Sequence, residues 1–182
     1  MNTRELAAVL SNNPHTGKDF KGVVACDELP DNKLHNFPAL YIVNTHPRNK
    51  PGEHWLALYM CADKTGEFFD SYGNPPDYDY FPDSINKFLQ KNCDRIVYNT
   101  VQVQDPLSAT CGQHCVFYLH HRAKGTPFSR IMSLYSDHLK MNDAMVSKYV
   151  DKIYLDKCMK NMLSCIQTVN SFKTFKKCHA CK

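Results

Sequence analysis

The residues best suited to chemistry in this chain are a cysteine, a histidine and an aspartate. Cys111-Gly112 opens a mostly apolar run, Cys115–Leu119, that continues to His121 and suits a buried helix. A thiol at the entry of such a helix is acidified by the helix dipole and by unpaired backbone N–H groups. Gly112 would let a substrate approach the backbone closely. By itself the pair fits equally well a small buried residue beside a helix-entry glycine. His54, in the apolar segment HWLALYM, is of the right type to act as general base for the thiol. Asp70 follows 16 residues later in FFDSYG, and in a hairpin its carboxylate reaches the His54 ring and fixes its tautomer. Gln104, seven residues before Cys111, can offer its side-chain amide to a developing oxyanion. Trp55 places a π-face beside the site, where it would stabilise an imidazolium, or else packs in the core.

These side chains need a frame. Arg4–Leu10 reads as a short helix with Leu6, Val9 and Leu10 on one side. Pro38–Asn44, Glu53–Cys61 and Glu67–Tyr72 read as strands, with Lys64-Thr65-Gly66 as the tight connection between the last two. Gly73–Pro82, rich in Pro, Asp and Tyr, is irregular. Ser84 is the expected N-cap of a helix carrying Ile85, Phe88 and Leu89, and Arg95–Gln104 is the next strand. Helices follow from Phe128. Met145, Tyr149 and Ile153 form a ladder joined by Val146 and Val150, and Cys158, Met162 and Ile166 continue a similar face. This order of elements implies one α+β domain over residues 1–170 with a basic, mobile tail at 171–182.

Composition narrows the class. The chain has 182 residues, 43% of them apolar, with 10 Phe and 10 Tyr, enough for a full core. No window approaches 18 consecutive apolar residues, so no spanning helix is expected. MNTRELAAVLSNN has no signal-peptide pattern, which makes free thiols the expected state of the nine cysteines and places the protein inside the cell, soluble and not secreted. Residues 1–111 carry 10 Lys/Arg against 14 Asp/Glu, a net of −4. Residues 112–182 carry 12 against 4, a net of +8. That asymmetry fits either an anionic partner, nucleic acid first, or a solvated basic helix face. Cys178-His179-Ala180-Cys181 offers too few ligands for a tetrahedral metal site, and no metal is expected.

Residues 5–121 resemble the adenovirus endopeptidase (adenain) family and its Ulp1-like relatives. The resemblance rests on Ile42-Val43-Asn44-Thr45 ahead of a Gly-x-His54-Trp55 motif, and on Asp70 followed by Tyr72-Gly73. It also rests on Gln104 placed seven residues before Ser108-Ala109-Thr110-Cys111-Gly112, then Cys115 and an aromatic run ending in Leu119-His120. It implies an adenain/Ulp1-like fold, a central mixed sheet packed by helices with the nucleophile at the N-terminus of a buried helix. It also implies His54 as base, Asp70 as orienting acid, Cys111 as nucleophile and Gln104 with the Cys111 N–H as oxyanion donors, with Asn44, Trp55 and Gly112 near the site. Asp70 stands where adenovirus enzymes usually carry Glu, although Asp is normal among the Ulp1-like relatives. The C-terminal third matches no family motif. Both departures suggest a divergent member from an adenovirus relative such as an adintovirus or polinton-type element.

The expected function is a cysteine endopeptidase cutting viral capsid and core precursors after small residues such as glycine, in the virion and host nucleus. No cofactor is required for the chemistry. The resemblance implies two activators, DNA and a short peptide disulfide-linked at Cys93. Two other readings remain open: a protease deconjugating ubiquitin-like modifiers, and a catalytically inactive DNA-binding module of the same fold.

Overall fold

A computed structural model describes residues 1–155 of the chain. Met1–Val150 forms one compact unit. It contains α1 (Thr3–Ser11), β1 (Phe20–Ala25), β2 (Ala39–Asn44), β3 (Trp55–Met60), β4 (Thr65–Phe69), α2 (Asp83–Asn92), β5 (Arg95–Tyr98), α3 (Cys111–Ala123) and α4 (Phe128–Met132). Residues 139–150 are also helical (α5), as are residues 151–155, which belong to a second unit beginning at Asp151. The positions Cys158, Met162, Ile166, Cys178 and Cys181, and the boundary at 170, lie outside the described residues.

The five strands form one mixed sheet in the order β1-β2-β3-β4-β5. The three central strands are antiparallel neighbours, and β1 and β5 add to the edges in parallel. Strands β2 and β4 are buried along their whole length, because helices cover both faces. On one face α2 inserts Ile85, Phe88 and Leu89 among Tyr41, Val43, Leu56, Leu58, Met60 and Phe68. Here Phe88 meets Tyr41 edge-on at 5.5 Å between ring centroids. On the other face α3 lays Tyr118 flat against Phe69, with centroids 4.8 Å apart. Helix α1 closes over α3 and β1 with Leu6, Val9 and Leu10 fully covered, and its start is fixed by a reciprocal Asn2–Glu5 capping box.

Several local expectations differ from what forms. Strand β1 arises from a segment with no clear alternation, FKGVVA, and is held by its pairing with β2. Strand β5 stops at Tyr98, since Asn99 turns its side chain onto the backbone of Asp70 and Val101. Helix α2 begins after Pro82, and the Ser84 hydroxyl donates to the Cys26 carbonyl at 2.8 Å instead of capping the helix. The β3–β4 turn centres on Lys64, at φ 64°, while Gly66 already lies inside β4. A Cβ on Gly66 would sit 2.7 Å from Cys93 Sγ, so the end of α2 can close on the sheet only over a glycine. The covered stripe of α5 is Asn142, Asp143, Val146 and Val150, and starts with two polar residues, whereas Met145 and Tyr149 are half-buried.

Candidate active site

His54 and Asp70 sit at the ends of adjacent antiparallel strands, one residue before β3 and one after β4. The ladder therefore brings the two side chains together, and His54 Nε2–H donates to Asp70 Oδ1 at 2.6 Å. Asp70 is fully buried and accepts three further bonds. The Tyr72 N–H reaches Oδ1 at 3.1 Å, and the Asn74 N–H and side-chain amide reach Oδ2 at 3.0 and 2.8 Å. Four donors thus satisfy the oxygens of this buried carboxyl group. Gly73, at φ 78°, makes the tight turn that folds Asn74 back. From the far side Asn99 clamps the Asp70 backbone, accepting its N–H at 3.1 Å and donating to its carbonyl at 2.6 Å.

Cys111 is the first residue of α3, near enough to the His54 ring for a hydrogen bond and charge between them to shift the pKa of each. With Nε2 engaged by Asp70, Nδ1 is the ring nitrogen left for the sulfur. Burial disfavours charge on both groups, and here their mutual interaction outweighs it. Desolvation lowers the His54 pKa, but the Asp70 and Cys111 bonds and charges carry it up to about 9. Desolvation likewise raises the Cys111 thiol, but His54 and the backbone N–H groups of Trp55 and Gly112 bring it below its ordinary value. The arrangement favours an imidazolium–thiolate pair.

Gln104 is buried, with its amide oriented by a 2.7 Å bond from the Ser71 hydroxyl to Oε1. That bond fixes Nε2 as the outward donor, which reaches the Ser108 carbonyl at 3.0 Å and the Tyr72 hydroxyl at 3.2 Å. Asn44 Oδ1 accepts the N–H of His46 at 2.9 Å and of Glu53 at 3.2 Å, and so ties down the loop that delivers His54. Gly112 helps, through its N–H, to lower the pKa of the Cys111 thiol. Its missing Cβ serves interior packing rather than substrate approach, since a Cβ there would lie 3.2–3.5 Å from Leu6, Met1 and Trp55.

The Trp55 ring hydrogen-bonds the Met1 carbonyl at 3.2 Å, and the aromatic neighbours of His54 are Tyr72 and Phe81, with centroids at 5.0 and 6.4 Å. Those two rings, together with Asn74 and Asn99, were not singled out as site residues from the sequence. Asn74, four positions after Asp70 across a Gly turn, is the one with a readable local signal. Cys93 lies at the C-cap of α2 with its sulfur against Gly66, and burial raises its pKa to about 11. A disulfide to an outside peptide would require this corner of the core to open. Among the described residues no group of three or more His, Cys, Asp or Glu is arranged to hold a metal ion.

The model of the adenovirus endoprotease family matches residues 20–176. The chain belongs to that family. It is 36% identical over 89 residues to the protease of porcine adenovirus A serotype 3, covering 43% of this chain and 44% of that protein. It is 31% identical over 113 residues to the protease of human adenovirus B serotype 3, covering 57% and 50%. The match thus spans about half the length of these curated relatives. Among solved structures, the SUMO protease Ulp1 aligns with a TM-score of 0.45 at 12% identity, covering 84% of this chain and 78% of that one. The ASFV pS273R protease aligns at 0.39 and 20% identity, covering 59% and 43%. No helix among the described residues is long and apolar enough to cross a membrane.

Proposed function

We propose that the chain is a cysteine endopeptidase in which Cys111 is the nucleophile, His54 the general base and acid, and Asp70 the orienting carboxylate. One observation carries this reading: a fully buried carboxylate binds the His54 ring at 2.6 Å, and that ring is the group whose hydrogen bond and charge pull the Cys111 thiol below its ordinary pKa. The thiolate attacks the scissile carbonyl carbon, forming a C–S bond as the carbonyl electrons move to oxygen. The Cys111 N–H and Gln104 Nε2 receive that oxyanion, Gln104 giving up its 3.2 Å bond to the Tyr72 hydroxyl. His54 gives its Nδ1 proton to the leaving amine, then takes one from the water that hydrolyses the thioester.

By family likeness, the substrates are capsid and core precursors of a virus, cut after small residues such as glycine in the virion and host nucleus. DNA acts as a non-specific activator through the basic C-terminal half. The deciding experiment incubates the full chain with a glycine-containing peptide substrate and with a thiol-directed covalent probe, followed by mass spectrometry. Cleavage together with probe adduct at Cys111, both lost in Cys111→Ala, is the expected result. A normal cleavage rate in Cys111→Ala overturns the assignment. For DNA, the cleavage rate should rise with added duplex and fall back as salt is raised, because phosphate neutralisation releases counterions. A rate indifferent to both removes DNA from the scheme.

A further inference from the structure

One side chain touches the acid, the base and the oxyanion donor at once. Tyr72 follows Asp70 by two positions, and its N–H reaches Asp70 Oδ1 at 3.1 Å. Its ring stacks on the His54 imidazole, with centroids 5.0 Å apart and planes inclined by 30°. Its hydroxyl oxygen accepts from Gln104 Nε2 at 3.2 Å. The triad chemistry above gives this tyrosine no task.

A phenol hydroxyl accepts and donates at the same time. In Tyr72 the oxygen receives the Gln104 amide, and among the described residues its own proton goes to no acceptor. Burial raises the Tyr72 pKa, and Cys111 and Asp70 are the foremost charges that raise it further, so the phenol keeps that proton. The sensitivity to Cys111 also shows that the phenol lies within the field of the nucleophile.

Two donors 3.2 Å apart can share one oxygen. An N–H···O bond of about 2.9 Å and an O–H···O⁻ bond of about 2.7 Å close a triangle on that base. When the oxyanion replaces the phenol oxygen as the acceptor for Gln104, the hydroxyl is free to turn its proton onto the same oxyanion. Both donors are fixed beforehand. Ser71 holds Gln104 Oε1 at 2.7 Å, while Asp70 and His54 hold Tyr72. The segment carrying Gln104 is tied to α5, where Asn142 donates to the Val103 carbonyl at 3.1 Å. Asp143, beside it, accepts from the Thr110 hydroxyl and from His114 Nε2 at 2.8 Å each. Donors set in place before the charge appears need no reorganisation when it does.

We propose that Tyr72 is a further catalytic residue: its hydroxyl donates a hydrogen bond to the substrate oxyanion, alongside Gln104 Nε2 and the Cys111 N–H. The proposal rests on the protease reading above. The proton stays on the phenol throughout, and the bond gains its strength only as the carbonyl oxygen takes up charge.

Tyr72→Phe tests this, because it removes the hydroxyl and keeps the ring that stacks on His54. Steady-state kinetics on a glycine-containing peptide are read for the full chain in four forms: parent, Tyr72→Phe, Gln104→Ala and the double variant. In Tyr72→Phe kcat should fall roughly tenfold to a hundredfold, the worth of one hydrogen bond to a charged group, with KM little changed. The double variant should be severalfold slower than Gln104→Ala, since the hydroxyl reaches the oxyanion without help from that amide. Alkylation of Cys111 by iodoacetamide, a displacement at saturated carbon that forms no oxyanion, should keep the parent's rate in Tyr72→Phe.

Three results would overturn the proposal. An unchanged or raised kcat in Tyr72→Phe means that the hydroxyl is idle or obstructs Gln104. A loss that disappears in the Gln104→Ala background means that it only orients the amide. A loss matched by equally slow alkylation means that it acts on the thiolate–imidazolium pair. Each of these, in an active parent, leaves the protease reading standing, whereas a parent that cleaves no peptide removes that reading and the proposal together.

Discussion

Asp70 holds His54 at 2.6 Å through one oxygen and is itself held through the other by both nitrogens of Asn74. The carboxylate is held against rotation, because its three other bonds come from the turn closed by Gly73 and its own backbone is clamped by Asn99. Asp70→Asn should lower kcat by up to roughly 10⁴, the loss known for neutralising the orienting acid of a serine-protease triad. Asn74→Ala removes only the outer support and should cost about tenfold or less, since net hydrogen-bond contributions of this kind are about 1 kcal/mol. Steady-state kinetics on the two variants checks the order. Equal losses would mean that the Asp70 charge is not what matters.

The Cys111–His54 pair makes a pH prediction. The thiol sits below its ordinary value and the imidazole near 9, so the thiolate should form at lower pH than that of an ordinary thiol. Alkylation of Cys111 should therefore have its midpoint below that of an ordinary thiol, and in His54→Ala the midpoint should rise, because burial is then opposed only by the backbone N–H groups of Trp55 and Gly112. The raised His54 pKa also adds stability that is fully present below pH 6.5 and lost as pH rises through about 9. A parent midpoint no lower than that of His54→Ala would contradict the ion pair.

His120 predicts sensitivity to acid. Burial, with minor contributions from Lys124, His15 and His121, holds its pKa near 4. Its Nδ1 meets the Tyr149 hydroxyl at 2.6 Å, and Nε2 accepts from the Asn13 amide at 3.1 Å. Protonation would set an N–H against that amide donor. A base with a depressed folded pKa stabilises the fold above its unfolded value near 6.5 and loses that contribution as pH falls toward 4. The whole effect is at most about 3 kcal/mol. Denaturant unfolding at pH 7, 5.5 and 4.5 should show a steeper loss for the parent than for His120→Gln, and parallel losses would refute it.

Cys93 and Gly66 make the fourth prediction. With its thiol buried and its pKa near 11, Cys93 should resist iodoacetamide under native conditions while Cys111 is modified, and should react only on unfolding. Gly66→Ala drives a methyl toward Cys93 Sγ and should destabilise the fold by about 1–3 kcal/mol. Combining it with Cys93→Ala should recover much of that loss. Peptide mapping and unfolding curves measure both, and labelling of Cys93 as fast as that of Cys111 would show that this corner opens readily.

The amino-acid sequence alone pointed to His54, Asp70, Gln104 and Cys111 as candidate site residues, because they lie on local signatures: an apolar strand, an aromatic-acidic strand end, and a polar break before an apolar helix. It also determined the central hairpin and the buried helix, whose apolar runs are long and unambiguous. Tertiary structure alone decided the rest, since those features depend on partners distant in the chain. Strand β1 exists only because β2 offers it an edge. Phe81 and Tyr72, rather than the neighbouring Trp55, flank the His54 ring because of how the 72–82 segment folds back. Asn142 and Asp143 look like surface polar residues on an ordinary helix until α5 packs against the segment entering α3. Burial then turns one carboxylate into a support for the start of α3. A hydrogen bond between positions 33 residues apart leaves no periodicity to read.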